Sequence, residues 1–284
     1  MTLVLPLVST GNVPQLTVDL ILHSYNDDFN FIEDLDSKYL HPFVGPLDHT
    51  STDTQSQLYS KQAGKTFSSA LELFTNNDQS IYIIQQRTPI IQGYLNNYIQ
   101  ELIIPLISRL KISTVSILDS YGAFDNSIIT SLHNNSNNIN MSNISIGTCD
   151  VNSINTIVDN FDQSLNLKYD SNSTLHYTAQ FYQFNETSPI QEISTNQAIF
   201  KLTYHLLNNI NISSLNQIKY FNVLVHEGDN SLDAKYMIKN CLPHIMNNNK
   251  FAITNDSQFK IPISWMGVYG MGQVPSSIEE GIYI

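Results

Sequence analysis

The densest group of chemically capable side chains is His226-Glu227-Gly228-Asp229-Asn230, an imidazole and two carboxylates around a glycine, just past an apolar run. In open α/β sheets ligands often bind beyond the strand ends, and paired carboxylates can divide acid and base roles. The same residues also serve structure, because Asp229 and Asn230 suit a helix N-terminus and Gly228 suits a turn. A second candidate is Ser9-Thr10-Gly11-Asn12, before Pro14. Free amides at a helix start can hold an anion. A single Gly with no Lys after it does not make a phosphate loop, however, and an ordinary strand-to-helix turn uses the same residues. There is no Gly-x-Ser-x-Gly elbow, and the eight histidines include no His-x-x-x-His pair for zinc. Cys149 and Cys241 lack metal-ligand spacing and read as free thiols of a reducing compartment. The sequence thus assigns no catalytic residue, no metal site and no cofactor.

The sharpest signal is the last three residues, Ile282-Tyr283-Ile284, a hydrophobic residue, a tyrosine and a terminal carboxylate. Pro275-Ser276-Ser277 and Gly281 before them read as a tether. This ending resembles the hydrophobic–Tyr–any pattern (HbYX) with which proteasome-binding factors enter pockets between neighbouring α subunits. A carboxylate can pair with a pocket Lys, and a tyrosine ring can bury while its hydroxyl keeps a partner. The hydrophobic residue adds apolar contact on the pocket wall.

Positioning any of these groups falls to alternating strands and helices. Leu3 to Val8 is a short apolar run whose Pro6 predicts a strand near a sheet edge. Pro14 opens a helix running towards His23. Asp27 to Asp36 is an acidic, aromatic stretch leading to a strand end at Phe43-Val44-Gly45-Pro46, and the polar segment from Asp48 to Gly64 predicts a surface loop. Ser69 to Phe74 and Ser80 to Gln86 form a strand pair across Asn76-Asn77-Asp78. Leu95, Tyr98, Ile99, Leu102, Ile103, Leu106 and Leu110 make one helical stripe, which Pro105 should kink. A buried strand at Thr114 to Leu118 ends at Asp119.

Further on come a helix at about 196–208, a strand at Lys219 to Val225 and a helix that Asn230 can cap. The apolar face of that helix is Ala234, Met237, Ile238, Cys241 and Leu242. Trp265, in the last apolar segment from Ile261 to Tyr269, reads as core more readily than as a partner anchor. Together these elements predict a sheet covered on both faces by helices. A single domain is expected over residues 1–272, with an Asn-rich elaborated region at about 125–189 and a tail at 273–284.

The chain has 284 residues, 42% hydrophobic and 13% charged, with a formal net charge of −12. An acidic surface opposes nucleic-acid phosphates and anionic membranes. The apolar start at Met1 to Val8 lacks the basic flank of a signal peptide, and no apolar run approaches the length of a membrane span. The expected location is the cytoplasm, with the nucleus as a second compartment.

Five blocks spread in order along the chain resemble the proteasome assembly chaperone 2 family of fungi. They are Leu3 to Leu16, Phe43 to Asp48, Gln85 to Pro89 with Tyr94 to Asn97, Glu227 to Asp233, and Ile263 to Met271. The likeness fades from about Asp125 to Pro189. It implies a three-layer α/β/α sandwich, nucleoside-phosphorylase-like in shape but without that activity, ending in a flexible C-terminal tail. It further implies a heterodimer with proteasome assembly chaperone 1 that binds the α ring of core-particle precursors and blocks premature regulator docking. Ile282, Tyr283 and Ile284 match the family's docking tail position by position. The competing reading is a nucleoside-phosphorylase-like enzyme using the loop at 226–229.

Overall fold

The computed structural model describes residues 1–53, 55–122, 144–150, 198–209, 212–225, 228–246 and 255–266. Its centre is a seven-stranded sheet. The strands are β1 (Thr2–Pro6), β2 (Phe29–Asp34), β5 (Leu71–Asn76), β6 (Ile81–Gln86), β7 (Thr114–Gly122), β8 (Ile144–Asp150) and β9 (Gln217–Val225). Their order across the sheet is β2-β5-β6-β1-β7-β9-β8. The inner pairs β6/β1, β1/β7 and β7/β9 are parallel, and the outer pairs are antiparallel. A separate two-stranded ribbon joins β3 (Val44–Gly45) to β4 (Ser68–Ser69).

Side chains alternate across the strands, and each face gathers its own core. One face sets Val4, Phe74, Ile83, Leu118 and Phe221 against α1 (Val13–Ser24) and α5 (Ser231–Ile245), through Leu20, Ile21, Met237 and Ile238. The other sets Leu3, Leu5, Leu73, Ile84 and Ile117 against the helical stretch from Leu95 to Leu110 and against α4 (Ala198–Asn208). The layers are therefore helix, sheet, helix, as the alternation of elements predicts. Each such fully buried Leu or Ile contributes about 1.5–3 kcal/mol.

Several local expectations need correction. β1 lies in the middle of the sheet, not near an edge. Thr2 N–H donates to Ser80 O at 2.8 Å and Leu7 N–H to Leu118 O at 2.9 Å, so even-numbered residues of β1 face β6 and odd-numbered ones face β7. Pro6 is even-numbered, and pairing to β6 has already ended at Val4, so its missing N–H costs nothing.

Pro105 does not break the helix into a simple kink. The chain runs as α2 (Leu95–Tyr98), a π-helical turn at Ile99–Ile103 and α3 (Ile104–Leu110), with Ile104 N–H reaching back to Ile99 O. The wider turn ends at Ile103, two residues before the proline that cannot donate.

The acidic stretch after Asp27 contains the edge strand β2, and the polar segment from Asp48 onward is partly internal, with Asp48, Thr50, Leu58 and Tyr59 buried. Most of the Asn-rich region at 125–189 lies outside the described residues, but β8 falls inside it and closes the sheet against β9.

Candidate functional site

Two polar regions of the described structure are built from distant parts of the chain. The first lies at the carboxyl ends of β1, β7 and β9, where α/β folds place ligands. After β1, Ser9 Oγ is 2.9 Å from Ser120 Oγ and accepts the Ser120 N–H at 3.0 Å. Ser120 Oγ donates to Thr10 O at 2.6 Å. Gly11 (φ 68°) and Asn12 (φ 53°) then take left-handed backbone angles before α1 begins.

Asn230 arrives from the β9–α5 connection. Its side-chain amide donates to Gly11 O at 3.4 Å and to Gly228 O at 3.1 Å. It does not cap α5 as its position predicts; Asp229 does that work, its carboxylate accepting the Ser231 N–H at 3.1 Å. Beside this junction Asp119 is buried and accepts from the Tyr220 hydroxyl and the Ser120 amide, both at 2.9 Å. Burial pushes its carboxyl up to about 6, against the pull of those hydrogen bonds.

The Ser9 to Asn12 turn and the 228–230 loop thus close on each other. Of the predicted loop chemistry, Asp229 and Asn230 are engaged in backbone contacts, while His226 and Glu227 lie outside the described residues.

The second region lies under α1. Asp19 is buried; it accepts from Gln85 Nε2 at 2.5 Å and from the Trp265 indole N–H at 3.3 Å. Burial pushes this carboxyl up to about 6, with the charge of Arg87 opposing. Glu72, 0% exposed, accepts from Tyr59 (2.8 Å), Arg87 (3.3 Å) and the Ser69 amide (3.2 Å), and pairs with Lys65 at 3.0 Å. His23 lies 3.8 Å from Asp48, and burial drags its imidazole down to about 4, which keeps it neutral near pH 7. Asp48 in turn accepts from the Ser264 N–H at 3.2 Å and its hydroxyl at 2.5 Å.

No spacing rule could have drawn these residues together, since Asp19 and Trp265 are separated by 246 positions. Trp265 itself is core, as its sequence context predicts, at 1% exposure.

Among the described residues there is no group of His, Cys, Asp and Glu that could hold a metal, and no helix long and apolar enough to cross a membrane. The predicted docking residues Ile282, Tyr283 and Ile284 lie outside the described residues.

Comparison with known proteins covers almost the whole chain. A protein of Saccharomyces cerevisiae named Proteasome assembly chaperone 2 is 38% identical over 277 residues, spanning 95% of this chain and 94% of that one. A Nematostella vectensis protein of the same name is 33% identical over 124 residues, 44% of this chain and 47% of its own. A solved Thermoplasma acidophilum protein of unknown function shares the fold, with a TM-score of 0.51 at 11% identity over 90% of this chain and 78% of that one. The PAC2 family pattern matches residues 3–227, from β1 through all the strands of the sheet to two residues past β9. With that span and the yeast relative together, the chain belongs to the PAC2 family.

Proposed function

We propose that this protein is a proteasome assembly chaperone that works by binding and has no catalytic role. The observation that carries this reading is the 38% identity to yeast Proteasome assembly chaperone 2, sustained over 95% of the chain. The engagement of the Asp229 carboxylate at the start of α5 is consistent with it, because an acid–base site would need that group free to meet a substrate.

In detail, the chain pairs with proteasome assembly chaperone 1 as a heterodimer in the cytoplasm or nucleus and sits on the α ring of core-particle precursors. Residues 1–272 form the body, and 273–284 form a tail whose Ile282, Tyr283 and Ile284 enter a pocket between α subunits. The tail holds the ring through its carboxylate and ring burial, while the body promotes ring assembly and blocks premature regulator docking. Two tails on one heterodimer raise avidity through effective concentration.

Co-purification on immature core particles tests this, using the intact chain with its partner beside a version ending at Gly281. Strong capture of the first and weak capture of the second is expected. Equal capture would move the anchor to the body, and absence of capture for both would remove the chaperone reading.

A further inference from the structure

Three stretches that are distant in sequence meet where β6 ends and β5 begins. Residues 38–46 run beside residues 87–91. His41 N–H donates to Pro89 O at 3.2 Å, Ile91 N–H to Tyr39 O at 2.8 Å, and Thr88 Oγ1 to His41 O at 2.7 Å. The β3–β4 ribbon continues the same surface, with Val44 opposite Ser69 and the Ser68 hydroxyl donating to Pro46 O at 3.0 Å. At the other end the Tyr39 and Tyr94 rings stack with their centroids 5.7 Å apart.

The side chains presented here are apolar and held in place. Val44 is 73% exposed, Phe67 48% and Tyr94 47%. Phe43 lies so close over Gly45 that a methyl group there would meet its ring at 2.8 Å. Pro42, Pro46 and Pro89 are exposed beside them. A surface ordered in advance loses little entropy when a partner binds. Folding alone does not call for it, since a ribbon of two-residue strands adds little stability and Val44 is left in water.

Charge sets this surface apart from the rest of the molecule. Residues 37–47, 66–71 and 87–100 contain no Asp or Glu, in a chain that has 25. Carboxylates return at one margin, where exposed Asp36 and Glu101 share the single ammonium of Lys38 at 3.6 and 3.0 Å. An aromatic, apolar centre without carboxylates and a charged rim is the anatomy of a protein–protein interface. This rim is net negative, and the whole chain carries −12. A second copy would bring the same charge and the same rim. The face therefore fits a different protein, apolar at its centre and carrying Lys or Arg where it meets Asp36 and Glu101.

We infer that this surface, from the β3–β4 ribbon to Tyr94, is where the partner chaperone of the heterodimer docks. The inference rests on the heterodimer reading above and adds to it the face and its chemistry.

The experiment mixes the full-length chain with its partner chaperone and measures pairing by sedimentation, for the parent and for Val44→Glu, Tyr94→Glu and Leu232→Glu. The first two put a carboxylate into the surface at exposed positions, so the fold should tolerate them, and an unchanged thermal midpoint verifies this. Leu232 is 69% exposed at the start of α5, which follows β9 on the other side of β1, and it controls for a charge added at any apolar site.

Val44→Glu and Tyr94→Glu should each weaken pairing about tenfold or more, with Leu232→Glu within about twofold of the parent. Raising salt from about 0.05 M to about 0.5 M should weaken the parent's pairing, because attraction at the rim is screened. Unchanged pairing in either surface variant overturns the proposal, and so does an equal loss in Leu232→Glu. Pairing that salt leaves unchanged or tightens also overturns it. Self-association of the chain alone that Val44→Glu abolishes would put a second copy on this face and overturn it too. Should one surface variant misfold, the other decides. If the parent fails to pair at all, the heterodimer reading falls and the inference with it, whereas intact pairing in the variants removes the inference alone.

Discussion

Gly11 and Asn230 lock one another in place. The Asn230 amide donates to the Gly11 carbonyl at 3.4 Å, Gly11 sits at φ +68°, and a methyl group on Gly11 would collide with that same amide. The contact joins the turn after the central strand to the start of α5, across 219 positions of sequence, at the strand ends where open α/β sheets commonly hold ligands.

Gly11→Ala should therefore lower stability by about 2 kcal/mol, part from the left-handed backbone and part from displacing Asn230. In an Asn230→Ala background only the backbone part should remain. Urea unfolding of the four proteins in that cycle measures the difference, and full additivity would mean the two residues do not interact.

Glu72 carries a heavier load. It is wholly buried and answers to Lys65, Arg87 and Tyr59 together. Glu72→Ala leaves two cations without their buried partner, so a loss of about 3–5 kcal/mol is expected by denaturant unfolding. A loss under about 1 kcal/mol would mean that water reaches the cluster easily.

Asp119 should make stability depend on pH. Folding raises its carboxyl from 3.8 to about 6, so between those values the folded chain binds a proton that the unfolded chain has released. Its contribution to stability is fully present below 3.8 and is lost as pH rises through about 6. Asp19 acts with the same sign. His23, lowered from 6.5 to about 4, acts oppositely, its contribution being lost as pH falls through that window. Asp119→Asn removes one of these titrations and keeps an acceptor for Tyr220. The stability of this variant relative to the parent should rise by on the order of 2–3 kcal/mol between pH 4 and pH 7. Parallel pH curves for the two proteins would contradict it.

A few residues appended after Ile284 abolish the terminal carboxylate at that position without touching the body. Ring capture should then fall to that of the protein ending at Gly281, with the thermal midpoint unchanged. Capture equal to the unextended chain would show that the carboxylate contributes nothing.

Where structure follows local pattern, the sequence reads well. The β5–β6 hairpin is announced by two apolar runs around Asn76-Asn77-Asp78, and the Leu95 to Leu110 stripe by its spacing. The two-faced sheet follows from the order of elements. Misreadings fall where a residue's meaning depends on distant partners. Pro6 looks like an edge residue until the direction in which its absent N–H would point is known. The segment after Asp48 looks like solvated loop because Asp48 finds its donors in Ser264, some two hundred positions on. Asn230 is placed as a cap by its neighbours, yet its amide is claimed by Gly11.

The pairing of Asp19 with Trp265 also dictates an order of events during synthesis. A ribosome releases α1 long before the Trp265 stretch that covers it, with 246 positions between the two residues. Gln85, the other donor to Asp19, is made early, so in that interval the carboxylate lacks only the indole N–H. Insertion of Trp265 is therefore a late event in synthesis order, after Asp19 and Gln85 are both in place. A nascent chain stalled before that residue would carry an open seam along α1, and such a seam is the kind of surface by which quality-control factors recognise an unfinished protein.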